Sequence, residues 1–140
     1  MKKTMSLIIV IAAILSLGTL ALATTRENLI GEIAPMYINL ISLSATIDID
    51  NSGEVTCIGN MTQSLSNGSC ELIINLQKQN SDKGWSTVAT WAKEGITKCA
   101  DVQYRDVSRG TYRLYVIGKV YGESGNLIET GTIYSISKTY

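Results

Sequence analysis

The side chains of this sequence that could do chemistry are three cysteines, Cys57, Cys70 and Cys99, a scatter of carboxylates, one Asp-rich turn, and tryptophan and tyrosine rings; there is no histidine. That last fact removes Ser-His-Asp and Cys-His relays, His-ligated zinc, and any side chain that titrates unperturbed near neutrality. The cysteines are separated by 13 and 29 positions, without the C-x-x-C spacing of zinc or redox sites. Asp101, Asp106, Glu123 and Glu129 are the carboxylates that could supply an acid and base pair for glycoside hydrolysis. Nothing in their spacing selects two of them, and each falls on a strand face or turn. Asp48-Ile49-Asp50-Asn51-Ser52-Gly53 matches the first half of an EF-hand loop, but the position that should carry the bidentate glutamate is Gly59. A tight turn explains the same residues without a metal. No serine sits in a G-x-S-x-G elbow. We therefore expect no catalytic residue, no metal and no cofactor. The charge tally of 12 basic and 12 acidic side chains contains no basic run, which argues against nucleic acid.

The aromatic residues are the better lead, and what they can do depends on which elements carry them. The N-terminus comes first. Lys2 and Lys3 precede an almost unbroken apolar run from Met5 to Leu22, and Ala21-Leu22-Ala23 supplies the small residues of a cleavage site. The pattern predicts a helical signal peptide over residues 1–23, removed after Ala23, and a secreted product. A retained anchor is the alternative, since roughly 18 apolar residues can just span a bilayer. Membrane contact is otherwise expected only through the leader before its removal. Lys2 and Lys3 are the only charged residues of that segment, so its loss turns a neutral chain into one of net charge −2. The remainder is long enough for one domain and one core.

Residues 24–37 read as a lead-in closed by Pro35, and residues 38–140 as the folded domain. From residue 41 onward the pattern is period-2 alternation broken by Gly, Asn, Asp and Ser clusters about every ten residues. Leu43, Ala45, Ile47 and Ile49 give a first strand with one buried face, and Asp50 to Gly53 a hairpin turn. Val55, Cys57, Gly59 and Met61 face inward on a second strand, and Cys70, Leu72, Ile74 and Leu76 on a third. Trp85 to Trp91 reads as a short fourth strand at a sheet edge. In the fifth, Ala100, Val102 and Tyr104 alternate with polar neighbours, which sets Cys99 among the outward residues. The sixth places Tyr112, Leu114, Val116, Gly118 and Val120 inward. Leu127 to Ile136 supplies a seventh whose ambiguous alternation suggests a bulge.

About seven short strands with regular turns fit an all-β, immunoglobulin-like two-sheet antiparallel sandwich. Tyr112 lies where a tyrosine corner would return its hydroxyl to the backbone just upstream. In such a sandwich the starts of strands three and five share one end of the molecule, while Cys57 lies toward the other. Cys70 and Cys99 are then the expected disulfide, closing a loop of about 30 residues and adding on the order of 3 kcal/mol. Cys57 is left as a buried thiol.

Ile33-Ala34-Pro35-Met36-Tyr37, Ser52-Gly53-Glu54-Val55-Thr56-Cys57, Leu76-Gln77-Lys78, Trp85 to Trp91, Tyr112-Arg113-Leu114 and Gly125 to Thr130 together resemble an uncharacterised family of small secreted bacterial proteins. Such proteins often carry arginine where Met36 stands. The resemblance implies export and a β-sandwich, and it transfers no functional residue.

On this reading Tyr115 and Tyr121 point away from the core-facing Tyr112, and Trp85 and Trp91 bracket the edge strand. These four rings are the candidate ligand-binding residues, suited to stacking on sugar faces or anchoring a protein partner. The competing reading places both tryptophans in a core that has no phenylalanine. The expected function is a secreted, non-catalytic module that binds an extracellular glycan or protein. A toxin-like effector acting on another cell's envelope is the alternative, and a carboxylate-dependent glycosidase a third.

Overall fold

The computed structural model describes residues 36–140, so the expected signal peptide and nearly all of the lead-in lie outside it. Eight strands follow in order: β1 (Leu40–Ile49), β2 (Glu54–Gln63), β3 (Ser69–Gln79), β4 (Trp85–Gly95), β5 (Lys98–Asp106), β6 (Thr111–Tyr121), β7 (Leu127–Tyr134) and a two-residue β8 (Lys138–Thr139). They form two antiparallel sheets, one ordered β1-β2-β5 and the other β4-β3-β6-β7, with β8 pairing the start of β6 beyond the end of β7. The domain is all-β, and no helix occurs among the described residues.

The three central strands explain why the chain folds this way. In β2, β3 and β6 buried and half-buried residues alternate along almost the whole length, so each strand offers one apolar face to the opposite sheet. Val55, Cys57 and Met61 from one side meet Leu72, Ile74, Leu76, Leu114, Val116 and Val120 from the other, all essentially without solvent contact. Gly59 sits in this seam because a Cβ there would lie 2.8 Å from Ile74 Cγ1 and Cδ1. The β1–β2 hairpin closes through Asp50. Its carboxylate accepts hydrogen bonds from Ser52 N, Ser52 Oγ and Glu54 N at 2.7–2.9 Å, and Gly53 takes φ +91°. The Asp-rich turn is thereby accounted for by backbone geometry. The Tyr112 ring is buried and its hydroxyl donates to the Ser108 carbonyl oxygen at 2.8 Å, fixing the turn that leads into β6.

Three expectations about the strands need correction. β4 is not short: it runs 11 residues to Gly95 and pairs with β3 along its length, with one irregularity opposite Leu76 and Gln77. The phase of β5 is reversed. Cys99, Asp101, Gln103 and Arg105 lie opposite the inward Met61, Gly59, Cys57 and Val55, whereas Val102 and Tyr104 are on the outer face, 45% and 62% exposed. The reason is that β5 is an edge strand whose position is set by the buried Cys99. Beyond that residue its inner side is only partly covered and tolerates polar groups, with Gln103 donating to Asp101 at 2.8 Å. Inward polar residues also discourage edge-to-edge pairing. Finally, β7 ends at Tyr134, and its expected bulge falls at Ile128, between the Val120–Glu129 and Tyr121–Leu127 pairs.

Candidate functional site

Strand β6 sends Arg113, Tyr115, Ile117, Lys119 and Tyr121 to the outer face of the larger sheet, because these alternate with its buried series. The register of the neighbouring strands decides what each of them meets. Tyr115 is paired with Tyr134 of β7, and the two rings stack with centroids 4.8 Å apart and planes inclined by 24°. One step along β6, the Arg113 guanidinium carbon lies 4.1 Å from the Tyr134 ring centroid and 4.2 Å from that of Trp85, at the start of β4. The Arg113 Nε–H donates to Gln77 Oε1 at 3.0 Å. Trp85, Arg113, Tyr134 and Tyr115 thus form a continuous row across the sheet, held flat by cation–π contact and ring stacking. Asn75, Gln77, Thr87 and Thr90 border it and are linked in side-chain and backbone hydrogen bonds.

At the other end of the same face Tyr121 donates its hydroxyl to Glu71 Oε2 at 2.9 Å, and Lys119 Nζ reaches the same oxygen at 3.0 Å. The Lys119 hydrogen bond, followed by that of Tyr121, holds the Glu71 carboxyl below its usual range. The bond to Glu71 in turn keeps the Tyr121 phenol protonated further into the alkaline range. An open cavity of about 660 Å3 adjoins this group, lined by Cys70, Glu71, Glu94, Gly95, Ile96 and Tyr121 among others. Ile96 of this lining is tied to Gln63, the one buried polar side chain among the described residues. The Gln63 amide nitrogen donates to the carbonyls of Leu65 and Ile96, and its oxygen accepts from the Leu65 amide. In sequence it continues the inward series of β2, a polar residue in an apolar phase.

The four candidate rings are therefore distributed rather than clustered. Trp85 and Tyr115 share the aromatic row, Tyr121 stands apart beside the cavity, and Trp91 lies opposite the buried Ile74 on the inner side of β4, packed against the core. Arg113 and Tyr134, which complete the row, were not among the expected site residues. The outward phase of Arg113 was visible beside Tyr115, but Tyr134 becomes its neighbour only through the β6–β7 register.

Among the remaining carboxylate candidates, Glu129 has a structural role and Asp101 accepts a hydrogen bond from Gln103. Glu129 is on the inner side of β7, where its two oxygens accept the amides of Ile38, Asn39 and Leu40 at 2.8–2.9 Å. Burial alone would raise its pKa, but the three backbone hydrogen bonds outweigh it and the carboxyl is held below 4.5. Asp101 and Asp106 sit on opposite faces of β5, and Glu123 is exposed in the β6–β7 turn. The Cys70 and Cys99 sulfurs are 2.7 Å apart, longer than the roughly 2.05 Å of a disulfide, and the structure holds them as adjacent buried thiols with Cys99 Sγ 3.3 Å from the Cys70 carbonyl. Burial pushes the Cys57 thiol up to about 12, which makes it a poor nucleophile. The chain matches no known protein family, and no curated protein shows significant sequence similarity to it.

Proposed function

We propose that the chain is exported, trimmed after Ala23, and acts outside the cell as a non-catalytic binding module that holds a glycan on the outer face of its larger sheet. The observation that carries this reading is the Trp85–Arg113–Tyr134–Tyr115 row. It sets flat rings on a rigid sheet, with Tyr134 51% exposed and side-chain amides and hydroxyls at its margin. Such a surface suits the C–H face of a sugar ring with hydroxyls at its rim. The Cys70 and Cys99 thiols, 2.7 Å apart between the two sheets, are placed so that oxidation outside the cell would join them into a staple. The non-catalytic reading is supported by the placement of the candidate carboxylates: Glu129 is engaged in a backbone clamp, Asp101 and Asp106 lie on opposite faces of β5, and Glu123 is exposed in the β6–β7 turn.

The topology proposed with this function is immunoglobulin-like. The order β1-β2-β5 against β3-β6-β7 supports it, as does the Tyr112 hydroxyl bonded back to Ser108. The fourth strand pairs with the third instead of joining the first sheet. A glycan array probed with the purified protein tests the function. Binding that is lost on Tyr115→Ala or Tyr134→Ala and kept on Thr46→Ala, a change on the opposite sheet, is expected. Binding to no glycan, or binding indifferent to the row, would refute it.

A further inference from the structure

Resting on that reading, we propose that the glycan is acidic, and that a carboxylate of a uronic-acid-type polymer docks on Arg113. The Arg113 side chain has hydrogen-bond donors left to give. Its guanidinium carbon is close to two aromatic rings, at 4.2 and 4.1 Å, and its Nε–H is used by Gln77. Both Nη groups, with four N–H donors between them, have no hydrogen-bond partner among the described residues. No buried side-chain nitrogen or oxygen among those residues lacks a partner, so these donors open to solvent. Arg113 is therefore placed, half-buried, with its outward edge unused.

Its charge is also uncompensated. β6 presents two cations on this face. Lys119 is paired with Glu71 at 3.0 Å, whereas Arg113 has no carboxylate within 4.0 Å among the described residues. A guanidinium edge matches a planar carboxylate with two parallel N–H···O bonds, and stacking against aromatic rings leaves that edge pre-oriented. One unpaired cation answers the single charge of one carboxylate. The Tyr134 and Tyr115 rings beside it offer the platform for the sugar that carries the charge. A purely peptidic acidic partner would use the cation and leave the ring platform without a matching group.

Isothermal titration of the purified protein with polygalacturonate, its fully methyl-esterified form, a neutral glucan and poly-L-glutamate tests this. The polyuronate is expected to bind at least ten-fold tighter than its ester and than poly-L-glutamate, with affinity falling as salt rises. Arg113→Gln should erase the preference for the acid over the ester. Tyr115→Ala should weaken both polymers. Thermal unfolding of each variant establishes that it is folded. Equal binding of acid and ester, still dependent on Tyr115, would overturn the acidic inference and leave the glycan reading intact. Equal or tighter binding of poly-L-glutamate, dependent on Arg113, would overturn the sugar and support an acidic peptide. Binding of none of the four, or binding indifferent to both substitutions, would overturn the inference together with the reading beneath it.

Discussion

Glu129 offers the sharpest test of how the two sheets are tied at the N-terminal entry. Its carboxylate gathers three successive amides, from Ile38, Asn39 and Leu40, that precede or open β1, and so fastens that segment across β7. Hydrogen bonds to a charged group are worth roughly 1.5–3 kcal/mol each when buried. These are partly open to water and the freed amides can rehydrate, so removing all three with Glu129→Ala should cost about 2–3 kcal/mol in total. Glu129→Gln can keep the Asn39 and Leu40 bonds through its one carbonyl oxygen and should cost about 1 kcal/mol, or roughly 4 °C in a domain of this size. The pH dependence has a definite sign. The folded carboxyl is held below its ordinary 4.5, so its contribution is complete above that value and is lost as pH falls through the folded pKa. Urea unfolding at pH 7 should separate wild type from both variants, and the gap should narrow steadily below pH 4.5. A Glu129→Ala cost under 0.5 kcal/mol (on the order of an ordinary surface substitution), or a gap unchanged down to pH 3, would refute the clamp.

Three further outcomes are expected. Alkylation of the denatured, unreduced protein should modify one cysteine, Cys57, and reduction should cost about 3–4 kcal/mol from the 29-residue separation of Cys70 and Cys99; three modified thiols by intact mass would exclude the staple. Tyr112→Phe removes the hydrogen bond to Ser108 and should cost about 1–1.5 kcal/mol with the fold retained; an unchanged urea midpoint would deny the corner a role. Gly59→Val forces side-chain atoms into Ile74 and should cost about 2–3 kcal/mol or more, part of it recovered in the Gly59→Val, Ile74→Ala double variant. Simple additivity of the two changes would show that the contact at Gly59 is not what limits the approach of the sheets.

Much of the sandwich was legible in the residues themselves. β2, β3 and β6 are central strands covered on one face, and burial of that face writes a clean period of two into Val55–Met61, Cys70–Leu76 and Tyr112–Val120. Edge strands carry less of this signal. β5 reads in the wrong phase because its exposed outer side bears Val102 and Tyr104 while its inner side bears Asp101 and Gln103, so apolar character and burial part company there. β4 reads as too short because Lys93 and Glu94 look like the start of a loop, yet both are exposed positions of a paired strand. The candidate site was half visible for a similar reason. Tyr115 and Trp85 stand out by residue type, but the contacts that make a surface of them run through Arg113 and Tyr134, and cross-strand register is not written in local sequence. Glu129 looked like a spare carboxylate because its partners lie about 90 positions away.

The central claim is that ligand binds the outer face of β3, β4, β6 and β7. Its most direct test is amide chemical-shift mapping of the isotope-labelled protein titrated with a polyuronate oligosaccharide. The account predicts saturable shifts concentrated at Trp85, Gln77, Arg113, Tyr115 and Tyr134, with the amides of Thr46, Ile58 and Val102 on the other sheet unmoved. Shifts centred on the β1-β2-β5 face, or no saturable shifts at all, would contradict it.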